Sequence, residues 1–153
     1  MLTFHVRLSA EGGHTEDFGE IYLETEHGYF PGLGWTDLVW NVVSLWMGNT
    51  LQMLDPKDDE PVVTFNFMDG PFVFTLERTE QVGLIMRFLR RPDEPEESEE
   101  LPSLHTSFAE YGEAFVSLAE QIINDPAFGW LGSEKGRSRF QKFAAELRAK
   151  WPS

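Results

Sequence analysis

One segment constrains this chain more than any other: residues 34–50, GWTDLVWNVVSLWMGNT, place three tryptophans in or beside a single predicted helix. From residue 38 to about 53 the apolar residues recur at helical spacing. Val39, Val42, Val43, Trp46 and Thr50 form one face, flanked by Leu38 and Leu45 on one side and by Trp40, Met47 and Leu51 on the other. Asp37, Asn41, Ser44, Gly48 and Gln52 leave only a narrow polar stripe. A helix that is apolar around most of its circumference is normally buried on several sides.

A membrane span needs about 20 consecutive apolar residues, and Asn41, Ser44, Gly48 and Asn49 interrupt this run. Helices that lie in a membrane interface carry Lys or Arg on their polar face, and this one carries neither. No membrane association is expected. The helix belongs in the core, against a sheet on one side and other helices on another, and a pocket reached by its indoles is the alternative.

Around it the sequence alternates. Residues 2–8, LTFHVRL, set Leu2, Phe4, Val6 and Leu8 against Thr3, His5 and Arg7, the period of a half-buried strand. After the turn-like SAEGGHTED, residues 18–24 repeat it, with Phe18, Glu20, Tyr22 and Glu24 opposite Ile21 and Leu23, which predicts a first hairpin. The Gly- and Pro-rich HGYFPGLGW then leads to Thr36 or Asp37, either of which can cap the helix start. Downstream, residues 62–67 (VVTFNF) and 72–76 (FVFTL) flank MDGP, an Asp-Gly turn signature, and residues 82–90 (VGLIMRFLR) alternate again; a short helix is the alternative for this last run, but the tight connections favour three meandering strands.

Residues 91–103, RPDEPEESEELPS, combine three prolines with Asp93, Glu94, Glu96, Glu97, Glu99 and Glu100 and show no apolar period, so a mobile acidic surface loop is expected there. Two helices follow. In residues 107–124 Phe108, Tyr111, Phe115, Leu118, Ala119 and Ile122 recur at three and four, and Phe140, Phe143, Ala144, Leu147 and Trp151 form the stripe of a last, basic helix. The order strand-strand-helix-strand-strand-strand-helix-helix predicts a single α+β domain over residues 1–153, built on one mainly antiparallel sheet of about five strands with helices on one face. A chain of this length, 41% hydrophobic with 13 Phe and 5 Trp, has ample material for one core.

Charge narrows the partners. With 26 acidic against 12 basic residues the formal net charge is -14. Nucleic acid, which demands cationic groups along the phosphates, is an unsuitable ligand. Residues 1–134 carry 6 basic and 25 acidic residues, whereas 135–153 carry 6 basic and 1 acidic; the last helix is a cationic strip on an anionic body, suited to an internal electrostatic fit. There are no cysteines, which excludes disulfides and thiolate chemistry and fits a reducing compartment. With no secretory leader visible in MLTFHVRLSA, a cytoplasmic location is expected.

No GxGxxG, phosphate loop, GxSxG, HExxH or calcium loop is present. His14, Glu16 and Asp17, joined by His27 across the first hairpin, are near enough in sequence to share a divalent cation, but polar residues are ordinary in such a turn, so neither a metal nor a cofactor is expected. Asp37 and Asp69, beside aromatic sequence, are the best carboxylate pair for a cleft, with helix-start and turn roles as their simpler explanation. Between the Trp-rich helix and the sheet, Trp35, Asp37, Trp40 and Asp69 would line the pocket of a small-molecule binder or an enzyme.

Taken together, YFPGLGWTDLVWNVVSLW, FNFMDGPFVFTLE and FAEYGEAFVSLAEQIIND resemble the layout of small acidic bacterial immunity-like proteins, including antidotes encoded beside polymorphic or contact-dependent toxins. The likeness covers most of the chain in element order and rests on an aromatic-Pro lead into a helix, an Asp-Gly-Pro hairpin and an amphipathic helix. It implies a non-catalytic protein that sequesters a partner such as a basic nuclease, and it carries over no binding residue, since such families place their contacts on variable surfaces. The charge leads the same way, because an anionic surface speeds encounter with a cationic protein. The expected contacts are Asp93, Glu94, Glu96, Glu97, Glu99 and Glu100 around an aromatic anchor. A homo-oligomer would be signalled by a contiguous exposed apolar patch on the helices or a sheet edge.

Overall fold

The computed structural model describes residues 1–8, 18–54, 62–79, 83–125 and 134–150. Strand β1 (Leu2–Leu8) pairs antiparallel with β2 (Phe18–Thr25), Leu2 opposite Thr25 and Leu8 opposite Gly19. On the other side of β2, two three-residue strands lie end to end: β3 (Gly28–Phe30) along Leu23 to Thr25 and β4 (Thr36–Leu38) along Phe18 to Glu20. A backbone bond from Ile21 N–H to the Trp35 carbonyl, 2.8 Å, bridges the gap between them. The second sheet is a meander, β5 (Val62–Asn66), β6 (Phe72–Arg78), β7 (Gly83–Arg90) and β8 (Glu99–Ser107), each strand antiparallel to the next.

Alternation decides which side of each strand meets the core. Phe4, Ile21, Leu23 and Phe30 turn inward from the first sheet, and Phe65, Phe74, Met86, Phe88 and Leu104 from the second. Helix α1 (Val39–Leu54) packs against β5 and β2, and α2 (Phe108–Asn124) against β1 and β8. Phe4 is the meeting point: its ring lies 6.0 Å from Trp46, 6.5 Å from Phe74, 6.0 Å from Tyr111 and 5.7 Å from Phe115. Such tilted and edge-on pairs add about 0.5–1.5 kcal/mol each beyond their buried area. Trp46 is fully buried, and its indole N–H is satisfied by the Asn66 carbonyl at 2.9 Å. Helix α3 (Glu134–Lys150) covers α2 and α1 through Phe140, Ala144 and Leu147.

The α+β class and the antiparallel pairing agree with expectation, while the strands divide differently: two sheets of four replace one of about five, and the helices share a core with both sheets. β3 and β4 are too short to show a period, β3 lying within the Gly- and Pro-rich segment and β4 just after it. The acidic segment is the second correction. Only residues 91–98 connect β7 to β8, with one 3-10 turn at Pro95–Glu97, and Glu99 and Glu100 already pair with Arg90 and Leu89. The register shifts between Met86 and Phe88, which face Leu104 and Leu101. That irregularity accommodates Pro102, which has no N–H for a regular ladder. Ser107 then ends β8 and caps α2 at once, its hydroxyl accepting the Glu110 N–H at 3.0 Å. No helix among the described residues is long and apolar enough to cross a membrane.

Candidate functional site

The β2–β3 hairpin is held by local chemistry. The His27 N–H donates to the Thr25 hydroxyl at 3.1 Å, and Gly28 takes a φ of 120°, a conformation open to glycine. The hairpin delivers Phe30 onto the second sheet, its ring 5.1 Å from that of Phe88. Between the hairpin and β8 a cavity of about 200 Å³ remains, lined by Thr25, His27, Gly28, Tyr29, Phe30, Phe88, Leu101 and Pro102. Pockets for metabolites run to about 300–1,000 Å³, whereas about 150 Å³ already holds a benzene ring. The space suits one large side chain.

Tyr29 belongs both to this cavity and to the outer face of the first sheet. There Tyr22 meets Tyr29 edge-on at 5.7 Å and stacks on His5 at 4.8 Å. His5 Nε2 lies 2.8 Å from a Glu24 carboxylate oxygen. Glu20 and Glu24 flank Tyr22 along β2. Burial raises the Tyr22 phenol above its ordinary value, and Glu20, Tyr29 and Glu24 push it the same way. Rings flanked by carboxylates attract a cationic side chain twice, through the π face and through ion pairing.

Two of the expected acidic contacts belong to the strand that walls the cavity, whereas Asp93 lines a separate cavity of about 640 Å³ with Asn66, Gly70 and Phe72. Glu99 and Glu100 stand on β8 immediately before the lining residues Leu101 and Pro102, while Asp93, Glu94, Glu96 and Glu97 occupy the connection before them. Arg87 answers part of this charge, 3.2 Å from Glu77 and 3.9 Å from Glu100. The cavity lies between two elements that carry carboxylates outside its lining.

Of the four residues expected around a pocket, the structure brings three together. Asp37 is 1% exposed, and its Oδ2 accepts the Met68 and Asp69 backbone N–H groups at 3.1 Å each and the Trp35 indole N–H at 3.3 Å; Oδ1 accepts the Leu38 N–H at 2.7 Å. Trp35 packs edge-on to Phe72 at 5.1 Å. Trp40 goes elsewhere, to Phe140 of α3 at 5.4 Å. Asp69 contributes its backbone, so the pair meets as carboxylate and amide rather than as two carboxyl groups. With four donors on it, Asp37 pins the β5–β6 turn to β4.

His14, Glu16 and Asp17 lie outside the described residues; His27 sits 3.8 Å from Glu26, and among the described residues no three His, Asp or Glu side chains group as a metal site would. Sequence reasoning missed the cavity and the ring ladder. Tyr22 among glutamates on the outward side of β2 was the available signal; Tyr29 and Pro102 sat in segments without any period. Comparison with protein-family models, curated proteins and solved structures gives no match.

Proposed function

We propose that this protein is a non-catalytic, acidic binding module of the immunity or antitoxin kind, which neutralises a basic protein partner in the cytoplasm. The cavity beside Tyr29 receives one apolar or aromatic side chain of the partner, and Glu20, Glu24, Glu99 and Glu100 face its lysines and arginines. The observation that carries this is the coincidence of a side-chain-sized aromatic cavity with carboxylates on both flanking elements. Interfaces concentrate their energy in such desolvated anchors, while surrounding charge sets on-rate and specificity.

The test is affinity capture from the native host with the full chain as bait, followed by a salt titration. A specific basic protein should be retained at low ionic strength and released progressively as salt rises beyond about 0.15 M, where the Debye length is about 8 Å. Retention of no specific protein, or retention indifferent to salt, contradicts the proposal.

A further inference from the structure

The outer face of the second sheet carries a recess of its own. Along β5 and β6 the side chains alternate, so Phe65 and Phe74 enter the core while Thr64, Asn66 and Val73 turn to the other side, with Asn66 directly across from Val73. At the end of β7 the chain is drawn back to the β5–β6 turn, where the Arg91 N–H donates to the Pro71 carbonyl at 2.7 Å. Pro92, with its fixed φ, then leads to Asp93. Strand face, turn and connection border the cavity of about 640 Å³, and Thr64, Asn66, Phe72, Val73, Arg91 and Asp93 are among its lining. That volume falls within the range of about 300–1,000 Å³ usual for metabolite sites.

The charges at this cavity are not spent on one another. Arg91 is followed closely by Asp93, Glu94, Glu96, Glu97, Glu99 and Glu100, yet among the described residues its guanidinium has neither an ion pair nor a hydrogen bond. Arg87, by contrast, is engaged by Glu77 and Glu100. The Asp93 carboxylate, the Asn66 amide and the Thr64 hydroxyl likewise have no partner among the described residues. One cation, one anion, an amide and a hydroxyl thus border a cavity whose other walls are apolar, Phe72 and Val73 among them.

We infer that this cavity binds a free aromatic α-amino acid. Each charge at the rim excludes a class of ligand. A simple anion meets Asp93 and a chain of net charge -14, and a simple cation meets Arg91. A zwitterion satisfies both: its carboxylate takes the guanidinium fork of Arg91 with two hydrogen bonds, and its ammonium lies on Asp93, with the Asn66 amide oxygen as a second acceptor. The ring packs on Phe72 and Val73. A peptide holds its terminal charges apart, so the free amino acid is the better fit.

The experiment is calorimetric titration of the purified full chain with L-phenylalanine, with N-acetyl-L-phenylalanine, which lacks the ammonium, and with L-phenylalaninamide, which lacks the carboxylate. L-Phenylalanine should bind with a dissociation constant below about 1 mM, and each analogue at least about tenfold more weakly. Arg91→Gln should weaken L-phenylalanine about tenfold and erase its advantage over the amide; Asp93→Asn should do the same against the N-acetyl compound. Both side chains are exposed, and an unchanged circular dichroism spectrum checks the fold. In an NMR titration the backbone amide signals of Asn66, Gly70 and Arg91 should shift while those of Tyr29 and Leu101 stay in place. No binding up to about 10 mM, affinities indifferent to the loss of either charge, or shifts confined to the Tyr29 cavity overturns the inference. None of these outcomes touches the capture of a basic partner.

Discussion

Tyr111 and Asp37 show how single residues fix this structure. Tyr111 is fully buried, and its phenol meets the Thr50 hydroxyl at 2.9 Å, joining α2 to α1 through the core. Burial pushes the phenol well above its ordinary range, with the Thr50 bond opposing only in part. A raised folded pKa means that the folded state keeps a proton the unfolded chain gives up. The contribution is therefore complete below about pH 10, the ordinary phenol value, and is lost as pH rises above it. Tyr111→Phe should cost about 1–2 kcal/mol near neutrality, through the stranded Thr50 hydroxyl. It should also make the alkaline fall in stability shallower, as urea unfolding from pH 8 to 11 would show. Removing Asp37 strands several donors at once. Asp37→Ala should lower unfolding free energy by about 3 kcal/mol or more, read from the shift of the urea midpoint.

At the scale of elements, the β5–β6 hairpin depends on Gly70. Its φ of 76° suits glycine, and a Cβ there would lie 3.1 Å from the Trp35 ring. Gly70→Ala should destabilise the protein by about 1–2 kcal/mol through the left-handed backbone, with the Trp35 contact adding to it, and should alter the tryptophan fluorescence of the folded state. This hairpin was legible in the sequence, because Asp-Gly between alternating aromatics has few other meanings. So was the central helix: Trp46 is interior, with Trp35 and Trp40 half-buried on different neighbours. β3, β4 and β8 were not legible. Three residues cannot display a period of two, and the first residues of β8, Glu99 and Glu100, look like the acidic run before them. Their strand character comes from the free edge of β7, which is a tertiary fact. The cavity was hidden for the same reason, since one of its walls is built by Leu101 and Pro102.

Across the whole molecule, charge is arranged as well as abundant. The cationic helix α3 is partly answered within the chain: Arg148 pairs with Glu120, Arg137 donates to the Ile123 carbonyl at 3.1 Å, and Lys150 meets Glu146 at 3.0 Å. These are exposed contacts, and each contributes little, up to about 1 kcal/mol. With 26 acidic residues against 12 basic ones in the chain, such pairs leave an excess of carboxylates. That excess is what the proposed binding of a basic partner draws on.

In the proposed complex a partner is held by an aromatic anchor inside an acidic frame. Its most direct measurement is calorimetric titration of the captured partner into wild type, Tyr29→Ala and the double variant Glu24→Gln with Glu100→Gln, each at low and at physiological salt. Tyr29→Ala should weaken binding about 30-fold at either salt concentration, as loss of an anchor worth about 2 kcal/mol requires; the double variant should lose affinity chiefly at low salt. Equal affinities for wild type and Tyr29→Ala, with no salt dependence in either, would contradict the account.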